Sequence, residues 1–294
     1  MAARSQMTTA DTYTLLDFGN GRRLEQWGQF RLIRPDPAAT GTPASPAAWK
    51  IANAIYQGEK GKGAWATPTP MPTQWPITFA DLRLWARLAP YKHTGIFPEQ
   101  RENWDWARTR ARSIGRPLNV LNLFAYTGGA TITLAKDAHF VTHVDAAKPS
   151  IGWAKQNATL NELPADRIRW MLDDAPAFVA RERRRGKRYD AIILDPPAFG
   201  HSPTGKAWRI ERDLAPLLED CCALLSENPA FIILNGYAQH DTPESFHRLL
   251  TGILRANTHF THFNIQAKEL QLTSSAGRSL STGIVARCAF NAAD

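Results

Sequence analysis

From about residue 97 to residue 256, short apolar runs alternate with longer amphipathic ones, and no other feature restricts the fold as much. The short runs are Asn119–Phe124, Phe140–Val144, Ile168–Leu172, Ala191–Leu194 and Phe231–Leu234. At this length, and rich in aliphatic residues, they read as buried strands. The stretches between them read as helices, near Ala130–Asp137, Pro149–Glu162, Ala175–Arg185, Ile210–Leu225 and Pro243–Ala256. A further helix opens at Pro98, a tolerated first-turn position, and runs to about Ser113. This alternation predicts an α/β fold, a doubly wound and mostly parallel sheet with helices on both faces. Two last strand-like pieces, Thr261–Ala267 and Thr282–Phe290, have no helix between them and predict a terminal antiparallel hairpin.

The first 95 residues differ: they are rich in proline, tryptophan and short apolar runs such as Phe30–Arg34 and Gly63–Thr67. Turn signals at Gly19-Asn20-Gly21 and Gly58–Gly63 separate these runs, so the region reads as strands and hairpins. The Gly/Lys run is a hairpin tip rather than a phosphate loop, because GxxxxGK[ST] is absent and no helix follows. Asp36–Ala48 has the composition of a flexible loop. The expected domains are therefore a small β-rich region, 1–95, and an α/β domain, 96–294.

Composition narrows the function classes. Of 294 residues, 44% are hydrophobic and 21% charged, as in a soluble globular protein. No run reaches the roughly 18 apolar residues of a membrane helix. The N-terminus has no apolar core of signal-peptide type, so a cytoplasmic location is expected. Three cysteines, Cys221, Cys222 and Cys288, suggest neither a disulfide framework nor a zinc site. No metal is expected. The net charge of +8 suits a polyanionic partner such as RNA. The basic run Arg181–Arg188 ends a helix, where cations suit the helix dipole, and reads as a solvated surface.

The candidate site lies at the carboxyl ends of the strands. The first strand, from Asn122, runs through Phe124, Ala125, Tyr126 and Thr127 into Gly128 and Gly129, a turn where backbone can approach a ligand closely. It lacks the G-x-G-x-x-G of dinucleotide enzymes. The second strand ends in Asp145-Ala146, an acid placed to accept both ribose hydroxyls of a nucleoside cofactor. The third ends in Asp173-Asp174-Ala175, where a carboxylate can accept from an adenine amino group. The fourth ends in Asp195-Pro196-Pro197-Ala198-Phe199. There the prolines stiffen the loop, Asp195 and nearby carbonyls can accept hydrogen bonds from an amine, and Phe199 offers a face to a planar ring. Each piece also has a plain structural reading: the glycines as a helix start, Asp145 and Asp174 as caps, the prolines as a tight turn. Their order along the chain favours a site.

This series resembles the class I S-adenosylmethionine (SAM)-dependent methyltransferases, whose Rossmann-like fold has a seven-stranded, mostly parallel sheet. Asn122–Thr131 resembles their cofactor motif, Asp145 their ribose acid, Asp174 their adenine-site acid, and Asp195–Phe199 their catalytic loop. The resemblance is closer to the branch containing large-subunit ribosomal RNA cytosine-C5 methyltransferases. Thr94–Arg101 is similar to that branch's segment before the core, which implies that Phe97, Gln100 and Arg101 lie against the methionine end of SAM. No RNA-binding domain of the PUA type is recognised in front. The resemblance implies RNA, ribosomal as in that branch, as the partner and SAM as the cofactor.

One departure changes the expected chemistry. Cytosine-C5 methylation needs a cysteine that adds to the pyrimidine, carried just after the fifth strand. Here that place reads Leu234-Asn235-Gly236-Tyr237. An exocyclic or ring nitrogen of a base is therefore the expected acceptor. A protein or small-molecule amine, and an RNA-binding protein without turnover, are the competing readings. Lys206 and Trp208 after the loop either meet a phosphate and a base or pack the loop onto the next helix. Tyr237 is a candidate pocket residue, and Trp153 either covers the adenine or fills the core.

Overall fold

The computed structural model describes residues 11–59, 62–201, 207–237, 241–257 and 260–290. The chain divides into two units, Met1–Pro98 with Leu272–Leu280, and Glu99–Gln271 with Ser281–Asp294.

In the first unit, β1 (Tyr13–Gly19), β2 (Arg22–Trp27), β3 (Phe30–Pro35), β4 (Ala54–Glu59) and β5 (Lys62–Ala66) form one sheet in that order. Asn20 and Gly21, both left-handed, make the tight turn joining β1 to β2. A second, two-stranded sheet pairs β6 (Gln74–Phe79) with β7 (Leu82–Arg87). The loop expected over Asp36–Ala48 ends in a 3-10 turn, Pro46–Ile51. Glu25 is fully buried on β2, where the Arg34 guanidinium grips it at 2.5 and 2.9 Å and the Tyr13 hydroxyl donates at 2.9 Å.

The second unit holds α1 (Arg101–Ser113), β8 (Asn119–Leu123), α2 (Gly129–Lys136), β9 (Phe140–Asp145), α3 (Lys148–Leu160), β10 (Ile168–Leu172), α4 (Ala175–Arg184) and β11 (Ala191–Leu194). It continues with β12 (Phe199–His201), β13 (Ala207–Arg209), α5 (Ile210–Cys222), β14 (Phe231–Gly236) and α6 (Pro243–Ala256). The last strands, β15 (Phe263–Thr273) and β16 (Ser279–Phe290), extend beyond the second unit into its neighbour.

The main sheet has seven strands in the order β10-β9-β8-β11-β14-β16-β15. β8, β9, β10, β11 and β14 are mutually parallel, and β16 pairs antiparallel with β14. β11 and β14 are buried along their whole length, which is why they read as continuous apolar runs. The chain winds outward from β8 through β9 to β10, then returns to lay β11 on the other side of β8. That reversal opens a crevice beyond the carboxyl ends of β8 and β11, where open α/β sheets bind ligands. The small β12–β13 hairpin was not anticipated, because three-residue strands carry no periodic signal. None of the described helices is long and apolar enough to cross a membrane.

Candidate active site

The turn after β8 is held in an unusual conformation. Phe124, Tyr126 and Gly128 all have positive φ, at 56°, 49° and 87°. For the two aromatic residues this geometry is costly and needs fixing from outside. Asp145, at the end of β9, supplies one clamp: its Oδ2 accepts the Tyr126 N–H at 2.8 Å and its Oδ1 the Ala147 N–H at 2.8 Å. The Ala125 N–H bonds the Val144 carbonyl at 3.0 Å, and Asn157 donates to the Thr127 carbonyl at 3.0 Å. Beneath the turn, Asn122 donates to the Thr131 hydroxyl at 2.9 Å, which meets His143 Nδ1 at 2.9 Å. One N–H of the Asn122 amide thus supports the turn.

The two glycines have different reasons to be there. Gly128 is left-handed and starts α2. At Gly129, a Cβ would lie 2.2 Å from the Trp104 ring of α1. Close approach is required there, as expected, but it is the approach of a tryptophan. Trp153 is buried and sits 6.2 Å from the Tyr126 ring, as a core residue beside the turn.

Asp145 and Ala146 are half-buried at the carboxyl edge of the sheet. Each Asp145 oxygen takes one backbone N–H, and a carboxylate oxygen can accept two, so one acceptor position per oxygen stays open for a diol. That donor-free pair fits the ribose of a nucleoside cofactor. Burial raises the carboxyl pKa against the two N–H bonds, so further donors would stabilise the charged form.

At the next strand end, Asp173 is ion-paired with Arg181 of α4. Asp174 caps α4 by accepting the Ala177 N–H at 3.1 Å, and Ala175 is buried as the first residue of that helix. The structural reading of Asp174 therefore holds in this geometry, and its remaining acceptor capacity faces no protein donor among the bonds described. Leu172, unnoticed in the sequence, is half exposed at the same edge. The basic run continuing α4 is partly neutralised, since Arg183 pairs with Asp220 and Arg185 with Glu182.

The Asp195 loop leaves β11 beside the Phe124 turn, with the Asp195 N–H directed at the Leu123 carbonyl at 3.4 Å. Part of the residue reaches solvent, but Oδ1 is sealed and bonds nothing among the described residues. Burial pushes the carboxyl up to about 7; the Tyr237 hydroxyl bonded to it opposes this and the charge of Glu99 adds to it. Pro196 is buried, Pro197 exposed, and the Phe199 ring 54% exposed. Trp208 turns inward: its Nε1 donates to the Pro197 carbonyl at 2.7 Å and its ring lies 5.1 Å from Phe124. Of its two readings, packing of the loop is the one realised, and Trp208 is not an open stacking face. Lys206 lies outside the described residues.

Behind Asp195 runs a network that sequence reasoning missed. Gln100 donates to the Tyr237 hydroxyl at 2.6 Å and accepts from Asn103 at 2.7 Å. Asn103 also donates to Asn235 at 2.8 Å and accepts from Arg287 of β16 at 2.8 Å. Gln100 therefore directs both ends of its amide into the protein. Arg101 is exposed and pairs with Asp105 at 3.6 Å. In the first unit, Phe97 is half-buried, 5.0 Å from the His93 ring. The signal for Asn235 was available, as a polar break in the apolar run of β14; nothing local marks Arg287.

A glycine turn, a ribose-competent acid and a proline-stiffened carboxylate loop, ordered along one sheet edge, is the arrangement of an enzyme that binds a nucleoside cofactor. Residues 33–239 match the family model described as S-adenosylmethionine-dependent methyltransferase. This chain belongs to that family. The methyltransferase is also similar to a crystallised SAM-dependent methyltransferase from Agrobacterium tumefaciens, with 35% identity, a TM-score of 0.90, and coverage of 96% of this chain and 92% of that one. Among curated proteins, it is 31% identical to a ribosomal RNA large subunit methyltransferase K/L of Chromohalobacter salexigens over 60% of this chain and 24% of that protein. It is 34% identical to the protein of the same name in Shewanella frigidimarina over 50% of this chain and 20% of that protein. The methyltransferase thus spans about a quarter or less of the curated relatives it matches. Among the described residues, no group of three or more His, Cys, Asp or Glu is placed to hold a metal ion.

Proposed function

We propose that this enzyme methylates a nitrogen of a nucleobase in ribosomal RNA. The observation that carries this reading is the half-buried Asp195 at the end of β11, in the same proline-stiffened loop as the exposed Phe199 ring. A carboxylate there can accept from an amine, and a base stacked on Phe199 would bring one. The names of the curated relatives and the net charge of +8 support RNA as the polymer.

SAM supplies an activated methyl group. The chain's contribution is orientation and the exclusion of water. Asp145 is assigned to the ribose hydroxyls, Asp173 and Asp174 with Ala175 to the adenine side, and Gln100 and Arg101 to the methionine end. The Phe124–Gly129 turn forms the floor. Asp195, Pro196 and Pro197 hold the acceptor nitrogen, with Phe199 against its ring.

A cytosine-C5 mechanism is disfavoured by the thiols. All three cysteines are buried, and burial pushes each thiol pKa upward. Serine replacement of Cys221 and Cys222 should leave methyl transfer intact in a folded protein, and RNA containing a fluorinated cytosine should trap no adduct.

The deciding experiment is mass spectrometry of nucleosides from ribosomal RNA of cells with and without the gene, paired with labelled methyl transfer by the purified enzyme. Loss of one N-methylated base, restored in vitro, is expected. Label entering only protein or small amines would overturn the RNA assignment.

A further inference from the structure

The carbonyl of Leu194, the last residue before Asp195, is bonded by a side chain of the neighbouring strand: Asn235 Nδ2 of β14 donates to it at 3.3 Å. Asn235 is buried, and its Oδ1 accepts from Asn103 of α1 at 2.8 Å. Asn103 Nδ2 also donates to Gln100 Oε1 at 2.7 Å, and Gln100 Nε2 donates in turn to the Tyr237 hydroxyl at 2.6 Å. At its other end, Asn103 Oδ1 accepts from both Nε and Nη2 of Arg287 on β16. Arg287 is itself held by Glu102. Asn103 is buried too, and both of its N–H groups and its oxygen are used.

A guanidinium can only donate. Its place against Asn103 therefore fixes which end of that amide is oxygen, and the next amides inherit the direction. Asn103 must offer N–H groups to Asn235 and Gln100, so these two turn oxygen toward it and donate from their far ends. Three linked amides alone could all turn over together; the cation on β16 leaves one sense satisfied. A carbonyl can only accept, so the bond to Leu194 exists in that sense alone. We propose that Asn103 and Asn235 are positioning residues for methyl transfer. They carry the donor character of Arg287 to the Leu194 carbonyl and so fix where the Asp195 loop leaves β11. The inference rests on the reading, given above, of that loop as the one that holds the acceptor.

Asn103→Asp separates direction from shape. It keeps the size of the side chain and the acceptor for Arg287, beside which the new carboxylate stays charged, but it has no N–H to give. Asn235 must then turn its amide over to donate to position 103, which sets its oxygen against the Leu194 carbonyl. Gln100 turns as well, but a hydroxyl can donate as readily as it accepts, so the Tyr237 end adapts. An attraction at Leu194 becomes a repulsion between two oxygens, and the loop should shift. Since about 1 Å of displacement costs on the order of a hundred-fold, single-turnover transfer should fall about ten- to a hundred-fold. Asn235→Leu removes the bond without the repulsion and should cost less, about three- to ten-fold. Added to Asn103→Asp, it takes away the opposing oxygen, so the double variant should be faster than Asn103→Asp alone. Independent packing roles would make the double variant slower than either single one.

The test uses the full chain with bound S-adenosylhomocysteine and ¹⁵N-labelled tryptophan. The indole N–H of Trp208, bonded to the Pro197 carbonyl at 2.7 Å, reports the position of the loop, and its NMR signal is assigned by its loss in Trp208→Phe. That signal is read in wild type, both single variants and the double variant. Beside it are measured SAM affinity by calorimetry and single-turnover transfer of labelled methyl to ribosomal RNA from cells lacking the gene. The signal should move furthest in Asn103→Asp and return part of the way in the double variant, with the rates in the same order. SAM affinity of Asn235→Leu, which leaves Gln100 in place, should stay within about two-fold of wild type. An unmoved Trp208 signal, or a double variant slower than both single ones, overturns the inference; if Asn103→Asp does not fold, a wild-type signal in Asn235→Leu overturns it. A displaced signal with wild-type transfer would instead overturn the assignment of the loop to the acceptor. If the wild-type enzyme transfers no methyl to RNA, the RNA assignment fails and the Trp208 signals still decide the relay.

Discussion

Asp145 Oδ2 accepts the backbone N–H of Tyr126 at 2.8 Å, across the gap between the ends of β9 and β8. Tyr126 stands at φ 49°, between Phe124 at 56° and Gly128 at 87°. The same carboxylate assigned to the cofactor ribose is thus the clamp that keeps the cofactor turn in its left-handed form. Binding and preorganisation meet in one side chain.

Asp145→Ala should therefore weaken SAM binding by more than the ribose bonds alone. Hydrogen bonds to a charged group are worth about 1.5–3 kcal/mol, or roughly ten-fold or more in affinity. Release of the turn adds to this. Asp145→Asn, whose one oxygen can still hold Tyr126, should fall between wild type and alanine. Calorimetry with SAM measures all three, and equal affinities would remove Asp145 from the site.

Trp208→Phe keeps an aromatic ring against Phe124 but deletes the donor that holds the Pro197 carbonyl at 2.7 Å. The loop carrying Asp195 and Phe199 should lose its fixed position while the cofactor turn stays in place. A displacement of about 1 Å costs on the order of a hundred-fold in rate. Single-turnover transfer should fall about ten- to a hundred-fold, with SAM affinity within about two-fold of wild type. A parallel loss of both would mean that Trp208 supports the whole edge.

Asp195 should cost the protein stability at neutral and basic pH. Its folded-state pKa is raised by burial to about 7, so the native state holds a proton that the unfolded chain has released. Stability from this group is full below the unfolded carboxylate range and is lost as pH rises through about 7. Asp195→Asn should then raise the unfolding free energy at pH 8 by on the order of 1–3 kcal/mol, discounted for the part of the residue that reaches solvent. At pH 4 the difference should vanish. Urea unfolding at the two pH values checks this, and a stabilised but slow variant is the expected pairing.

Glu25 behaves with the opposite sign. Burial would raise its pKa, but the charges of Arg34 and Arg23 and the bonds from Arg34 and Tyr13 prevail and bring it to about 2. The stability it contributes is present above the unfolded carboxylate range and is lost as pH falls from about 4.5 toward 2. Glu25→Gln leaves Arg34 buried without its counter-charge, at a cost of about 3–5 kcal/mol. Chemical denaturation at pH 7 should show the loss, and the variant's acid transition should flatten over the same pH interval.

The strands β10 and β11 and the helix α6 were legible residue for residue: β11 as an aliphatic run buried on both faces, α6 by its Thr-Pro start, and β10 by its length and bounds although, as an edge strand, it is only partly buried. So was the loop Asp195–Phe199, where prolines end a strand by their own covalent geometry. The absence of a cysteine after β14 fixed the expected chemistry without any coordinates. Tertiary structure alone decided what each group does. Gly129 is glycine because Trp104, twenty-five residues earlier in the chain, occupies its Cβ position. Trp208 faces a carbonyl rather than a base, and Gln100 holds Tyr237. The relay from Arg287 to Asn103 joins residues 184 apart. Local order comes from backbone sterics and burial periodicity, which act over a few residues and can be read from them. Which donor meets which acceptor depends on how strands distant in sequence are laid side by side, and only the folded sheet specifies that.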